Sequence, residues 1–126
     1  MKGGSSFPTP KEEEEQQALF AWAALQAGRH SELGLLYHIP NGGARSKAEA
    51  GRFKAEGVKS GVPDLCLPVA RKGFHGLYVE LKRLTGGKVS DKQNEWITAL
   101  DKEGYCAVVC RGWLEASKVI LWYLRQ

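Results

Sequence analysis

Residues 105–110 form a nearly continuous apolar run between two segments that have the pattern of helices. Such a run is typical of a strand buried on both faces of a sheet. The segment before it begins at Ser90, a residue that caps helices well, and ends at the stop signal Gly104. The segment after it spans about 113–124. The arrangement predicts a sheet with helices on both sides.

Helix formers, apolar runs and Gly or Pro stops define the other elements. Ser46 and Glu49 have the spacing of a capping box at the start of a short helix. Residues 1–10 are predicted to be a flexible lead-in, and residues 11–126 a single domain. The predicted elements are a helix at 11–27, a strand at 33–39, a helix at 46–56, strands at 64–69 and 76–82, a helix at 90–103, a strand at 105–110 and a helix at 113–124.

The order αβαββαβα implies an α/β fold with a central mixed sheet flanked by helices. The two consecutive strands are expected to pair as an antiparallel hairpin. A chain of 126 residues can bury enough surface to fold without disulfide or metal staples. The three cysteines, Cys66, Cys106 and Cys110, lie in apolar stretches and are expected to be reduced core thiols.

The chain lacks an apolar run of the roughly 20 residues needed to cross a bilayer, and its start has no apolar signal core. We therefore expect a cytoplasmic protein with no membrane partner. Lys and Arg outnumber Asp and Glu by 18 to 14, and four of the acids are consecutive at 12–15. The rest of the chain is thus more basic than the net charge of +4 suggests, which favours a polyanionic partner.

The most specific local feature is Gly61-Val62-Pro63-Asp64, followed sixteen positions after Asp64 by Glu80-Leu81-Lys82. Residues two apart on a strand share a face, so Glu80 and Lys82 project together. Asp64, at the start of the paired strand, can converge on them. Two carboxylates and the backbone carbonyl of Leu81 are hard oxygen ligands that suit Mg²⁺, and a neighbouring lysine can position an attacking water. The alternative is an ordinary strand start beside a surface Glu/Lys pair.

These residues resemble the PD-(D/E)XK nuclease signature, and the neighbouring motifs narrow the resemblance. The chain is identified as similar to the VRR-NUC (virus-type replication-repair nuclease) family, in the stand-alone form of phages and bacteria. The motifs occur in the family's order: His38-Ile39-Pro40-Asn41-Gly42-Gly43, Gly61-Val62-Pro63-Asp64-Leu65, Glu80-Leu81-Lys82, and Ser90 with Gln93. The resemblance implies a restriction-endonuclease-like core.

The resemblance also implies roles for single residues. Asp64 and Glu80 match the metal-binding acids, Lys82 matches the catalytic lysine, and Gln93 matches a polar residue that lines the site. The implied cofactor is one or two Mg²⁺ or Mn²⁺ ions, with no organic cofactor.

The family also has an acid on its first helix, followed four residues later by Gln. Glu12 with Gln16 fits this spacing, which places both residues on one helical face. Glu15 is a rival for the role because the four glutamates are consecutive. We expect Glu13 and Glu14 to be solvated residues at the acidic, dipole-favoured start of the helix.

The segment from Asn41 to Lys59 is the candidate DNA-binding surface. Adjacent glycines permit close approach of backbone amides to a phosphate. The alternative is a turn followed by a solvated helix. The candidate residues are Asn41, Gly42, Gly43, Arg45, Lys47, Arg52, Lys54 and Lys59.

His38 has two interpretations, a packed or hydrogen-bonded core histidine, or a residue near the site. The tryptophans, Trp22, Trp96, Trp113 and Trp122, have helical spacing among aliphatic neighbours, which favours core or dimer packing over base stacking.

The predicted function is a metal-dependent, structure-selective DNA endonuclease that hydrolyses phosphodiesters. The resemblance makes a Holliday-junction resolvase that acts as a homodimer the leading substrate hypothesis, since two sites would face two equivalent strands. A flap or nicking nuclease is an alternative. A noncatalytic DNA-binding module is another, although it would need neither Asp64 nor Glu80.

Overall fold

The computed structural model describes residues 8–40 and 43–125. The predicted element order αβαββαβα is confirmed, with a 3₁₀ helix inserted after the first helix. The helices are α1 (Glu12–Gln26), α2 (Lys47–Ala55), α3 (Asp91–Lys102) and α4 (Trp113–Leu124), and the strands are β1 (Tyr37–His38), β2 (Leu65–Leu67), β3 (Leu77–Lys82) and β4 (Cys106–Arg111). Within the described part of the chain, no helix is both long and apolar enough to span a membrane.

The four strands form a mixed sheet in the order β1-β2-β3-β4. The predicted hairpin is present: β2 and β3 are antiparallel, with Leu65 opposite Val79. β3 and β4 are parallel and are connected through α3, with Glu80 opposite Val109. β3 therefore lies between two partners, and its residues are almost all buried.

Side chains on β3 alternate between two environments. Leu77, Val79 and Leu81 belong to the apolar core, which also contains Leu19 of α1 and Ile120 of α4. The residues between them, including Glu80, face the other way, toward α3, where Gln93 hydrogen-bonds the Glu80 carboxylate. The alternation thus separates a hydrophobic core from a polar site across a single strand.

The predicted strand at 33–39 is wrong over most of its length. Its first half is part of a 3₁₀ helix at Ser31–Leu35, and only Tyr37–His38 pair in the sheet. Leu33 and Leu36 are both buried. Because residues three apart share a face of a 3₁₀ helix, this spacing buries both leucines where an alternating strand would separate them.

β4 was expected to be buried on both faces, which is wrong for its centre. Cys106 and Cys110 are buried, but Ala107, Val108 and Val109 are only partly buried. β4 is the last strand in the order and pairs with β3 alone, so its outer edge lies open.

The three cysteines are buried free thiols, as expected. Burial raises the pKa of Cys110 to about 12, so this thiol stays protonated near neutral pH.

The capping predictions are partly met. Ser46 accepts a hydrogen bond from Glu49 N at 3.1 Å, but the Glu49 carboxylate receives Arg45 N and not Ser46 N, so the predicted box is incomplete.

Residues 1–7 of the predicted lead-in lie outside the described residues. Thr9, near its end, hydrogen-bonds Thr85 through the two hydroxyls at 3.0 Å.

α4 begins at a buried glycine and is capped from a distant part of the chain. Gly112 has φ of 84°, a backbone conformation that residues with a side chain rarely adopt, so the turn favours glycine. Glycine has no side chain with which to cap the helix. The buried Glu15 of α1 supplies the acceptor: its Oε1 receives Trp113 N at 2.9 Å. This bond ties α1 to α4 and places a negative charge at the positive end of the helix.

Replacing Glu15 by Ala is expected to lower the free energy of unfolding by about 1–3 kcal/mol, because the amide of Trp113 loses its acceptor in a partly buried setting. Urea denaturation monitored by tryptophan fluorescence measures this change. Glu13→Ala is the matched control, since Glu13 is exposed on the same turn, and it should change the free energy by no more than about 0.5 kcal/mol. Equal effects of the two variants would contradict the capping role.

Candidate active site

Asp64 is held at the start of β2 by hydrogen bonds to both its side chain and its backbone. Its Oδ2 accepts the backbone N–H of Leu81, on the neighbouring strand, at 2.8 Å. Its backbone carbonyl accepts Ile39 N at 2.7 Å and faces His38 Nδ1 at 2.9 Å. The antiparallel pairing of β2 with β3 therefore places the Asp64 carboxylate beside Glu80-Leu81-Lys82, as the motif predicted.

Glu80 is a carboxylate buried on the polar side of β3, with 1% of its surface exposed. Its Oε2 accepts Gln93 Nε2 at 2.9 Å and lies 3.5 Å from Lys82 Nζ. Burial raises the pKa of Glu80 to about 8; the neighbouring Asp64 carboxylate adds to the rise, and Lys82 opposes it. Burial also raises the pKa of Asp64, against the effect of the hydrogen bond from Leu81. The site thus places two carboxyl groups where water cannot fully solvate their ionised forms.

Gln93 connects this carboxylate to the start of α3 through the two ends of one amide group. Its Oε1 accepts Ser90 N at 2.9 Å, and its own backbone N–H donates to Ser90 Oγ at 3.1 Å, which completes a capping box. The remaining amide nitrogen points to Glu80. Because the capping box fixes the oxygen end of the amide, the donor end is aimed at Glu80 without further support.

His38 lies beside the site and is exposed, which answers the question left open by the sequence. A carbonyl oxygen can only accept a hydrogen bond, so the contact with the Asp64 carbonyl requires a proton on Nδ1. The histidine thereby anchors the backbone that carries Asp64.

A cleft of about 210 Å³ lies next to Asp64, between α1 and the sheet. It is lined by Glu12, Glu13, Gln16, His38, Asp64 and Leu81. Glu12 and Gln16 line it together, as their four-residue spacing predicted. Glu15, the rival candidate, lies elsewhere, because its carboxylate caps α4. Glu13 is exposed as expected, yet it lines the same cleft.

The donors around Asp64 and Glu80 fit a hard divalent cation. Glu80 Oε1 is buried and has no hydrogen-bond partner among the described residues, which leaves a carboxylate oxygen available to a cation. Asp64, the Leu81 backbone and Glu12 would supply further oxygens. Across residues 8–40 and 43–125, no three acidic, His or Cys side chains are already gathered into a metal-binding group, so Glu12 would have to approach the other two acids.

Arg111, at the end of β4, is a supporting residue for which the sequence offers no signal. Its guanidinium donates to the carbonyls of Arg83, Gly86 and Gly87 at 2.7–3.0 Å. It therefore braces the loop that leaves β3 directly after Lys82.

The predicted DNA-binding residues divide into two groups. Asn41 and Gly42 lie outside the described residues, whereas Gly43, Arg45, Lys47, Arg52, Lys54 and Lys59 are all exposed. Arg52 is paired with Glu49 at 3.8 Å and with Glu56 at 4.0 Å, so its charge is partly compensated. Gly43, Lys54 and Lys59 line a groove of about 530 Å³ that also contains Phe53, Lys92 and Trp96.

The tryptophans differ in environment. Trp22 and Trp113 are half-buried against the core, in agreement with the packing interpretation. Trp122 is 41% exposed and lies 5.1 Å from Lys72 Nζ. Trp96 lines the groove described above.

The comparisons with known proteins agree with this geometry. The sequence profile of the VRR-NUC domain matches residues 10–113. A solved structure described as a VRR_NUC domain protein superposes with a TM-score of 0.80 at 33% sequence identity, and the match covers 94% of this chain and 91% of that one. No curated protein matches the chain.

The raised pKa of Glu80 predicts a stability that depends on pH. Folded protein holds this proton up to about pH 8, whereas the unfolded chain releases it near 4.5, so unfolding becomes easier as pH rises between the two values. In EDTA at pH 8, Glu80→Gln is expected to be more stable than the original protein by about 1–3 kcal/mol, because the uncompensated charge is gone. The difference should shrink at pH 5.

Urea denaturation of both proteins at pH 5 and pH 8 measures this effect. Glu95→Gln, an exposed position on α3, is the matched control and should show no such pH dependence. If the difference in stability between Glu80→Gln and the original protein were the same at pH 5 and pH 8, the assignment of a buried, proton-binding Glu80 would be contradicted.

Proposed function

This chain belongs to the VRR-NUC domain family, a nuclease-type family, and we propose that it is a metal-dependent DNA endonuclease that cleaves branched DNA. The observation that carries the proposal is the convergence of Asp64 and Glu80-Leu81-Lys82 at one point of the sheet: the Asp64 carboxylate accepts Leu81 N, and Glu80 Oε2 lies 3.5 Å from Lys82 Nζ. A noncatalytic DNA-binding module would not require two acids whose ionised forms are made unfavourable by burial.

Asp64, Glu80, the Leu81 carbonyl and Glu12 would hold one or two Mg²⁺ or Mn²⁺ ions. When bound, such ions stabilise charge on a phosphoryl oxygen and make water a stronger nucleophile. The unpartnered Oε1 of Glu80 supports this assignment.

The remaining residues position the reacting groups. The Lys82 ammonium, held 3.5 Å from Glu80 Oε2, is placed to orient the attacking water and to stabilise negative charge at phosphorus. Gln93 orients Glu80, and His38 anchors the backbone of Asp64. In the reaction, a bond forms from the water oxygen to phosphorus as the phosphodiester P–O bond breaks, which leaves a phosphate monoester and a free hydroxyl.

The preferred substrate in this proposal is a four-way junction cut by a homodimer. Junctions have two equivalent strands, and a two-fold dimer would present one site to each. Exposed apolar residues on α1 and α4, namely Leu25, Leu114 and Trp122, support an interface between two copies. Paired symmetric cuts would be the signature of such a dimer.

A cleavage panel of four-way junction, flap, splayed-arm and linear duplex DNA tests the activity. We expect cleavage with Mg²⁺ or Mn²⁺, preference for the junction, binding without turnover in Ca²⁺, and no activity in EDTA. Asp64→Asn and Glu80→Gln should each abolish turnover in a folded protein. Full activity in EDTA would refute the metal dependence, and a preference for flaps would indicate a flap nuclease. DNA binding indifferent to metal, with no cleavage of any substrate, would identify a binding module.

Two kinds of lysine should give different defects. Lys82→Ala is expected to lower the cleavage rate by a large factor with little change in DNA affinity, because this side chain is buried beside Glu80. Replacing exposed Lys54 and Lys59 together should weaken binding and reduce the slope of log affinity against log salt by up to roughly two. Single-turnover kinetics and fluorescence anisotropy separate the two effects. A binding defect with normal saturated turnover in Lys82→Ala would contradict its assigned role.

A further inference from the structure

The groove of about 530 Å³ combines aromatic and cationic side chains in a way that the active site does not explain. Phe53 and Trp96 are partly buried in its walls. Lys54, Lys59 and Lys92 line it from three different parts of the chain, namely α2, the loop that follows it and the first turn of α3, and all three are exposed. Its volume lies within the range of about 300–1,000 Å³ that is usual for ligand sites.

The groove and the active site are formed in part by the same two segments of the chain. Lys92 precedes Gln93, which hydrogen-bonds Glu80, and the loop that carries Lys59 ends at Asp64. Gly61 brings this loop against α3: its φ is +90°, and a Cβ there would lie 2.8 Å from the Lys92 Cβ. The loop that ends at Asp64 and the first turn of α3 therefore each carry residues of the groove and of the active site.

The cleft at Asp64 and the groove carry opposite charges and therefore suit different ligands. The cleft at Asp64 is lined by acids and suits cations. The groove has three lysines and no acidic residue among its lining side chains, so it suits phosphates. Aromatic walls add a surface on which a flat base can stack. A base within a continuous duplex is already stacked and paired, so an unpaired base is the form that can reach these walls.

We propose that the groove binds an unpaired nucleotide of the DNA strand next to the phosphodiester that is cut, with its base against Phe53 and Trp96 and its phosphates near Lys54, Lys59 and Lys92. The inference rests on the proposed nuclease function and specifies the substrate further: a flap or splayed arm offers such a nucleotide directly, whereas a four-way junction, whose bases are all paired, offers one only where a base pair at the branch point opens. DNA that is unpaired beside the cut is recognised there, and continuous duplex is not.

Binding measured in EDTA tests the groove without chemistry. The probe is a splayed-arm duplex with 2-aminopurine at its first unpaired position, and we expect the fluorescence of this base to be quenched on binding. Phe53→Leu and Trp96→Leu keep an apolar lining but remove the stacking surface. Each is expected to relieve the quenching and to weaken binding of an oligothymidine by roughly 5- to 100-fold. The affinity for a blunt duplex should change less than twofold. Trp22→Leu, at a partly buried tryptophan of α1 outside the groove, is the matched control.

Lys92→Gln provides a test that does not disturb the packing, should an aromatic variant fail to fold. It should weaken binding of the oligothymidine and reduce its salt slope by roughly one, whereas Lys118→Gln on α4 should not. Unquenched 2-aminopurine with the original protein, oligothymidine affinity unchanged in Lys92→Gln, or equal losses for duplex and single strand would each overturn the proposal.

Cleavage of the same splayed-arm DNA with Mn²⁺ separates this inference from the proposed function. Quenching that depends on Phe53 and Trp96 in a protein that never cleaves would support the groove and refute the nuclease activity. Cleavage without any quenching would do the opposite.

Discussion

The arrangement of the rest of the site depends on the burial of the Glu80 carboxylate. A charge removed from water requires partners: Gln93, from the first turn of α3, donates a hydrogen bond, and Lys82, from the same strand, supplies the opposite charge. One oxygen of Glu80 remains without a donor among the described residues, and burial, together with the nearby Asp64 carboxylate, raises the pKa of Glu80 to about 8. The fold thus holds two carboxyl groups where their ionised forms are unfavourable, and a bound cation would relieve this.

The opposite side of β3 supplies the stability that this site requires. Leu77, Val79 and Leu81 pack into the core with α1 and α4, while the residues between them form the polar site. The acidic start of α1 serves both sides, because successive helical residues point in different directions. Glu12 lines the cleft beside Asp64, and Glu15 is buried as the cap of α4. A run of four like residues therefore contains a candidate ligand and a structural cap.

Much of the fold could be predicted from local patterns. Helix caps such as Ser90, stops such as Gly104 and the Asp64/Glu80/Lys82 spacing depend on residues close in sequence or on strand alternation, and the structure has these elements within one or two residues. The segment around Leu33 was assigned wrongly because two leucines three apart fit a 3₁₀ turn as well as a short strand. The exposure of β4 was also missed, because an apolar run does not reveal whether a strand lies at an edge.

The sequence by itself determined the order of the elements, the paired carboxylates and lysine on consecutive strands, and the family, since each depends on residue identity and short spacing. Only the tertiary structure separates Glu12 from Glu15: Glu12 lines the cleft beside Asp64, and the distant amide of Trp113 takes Glu15 as its cap. It likewise assembled Phe53, Lys92 and Trp96 into one groove beside the site. Such groupings arise from packing between elements far apart in the chain, and local spacing carries no information about them.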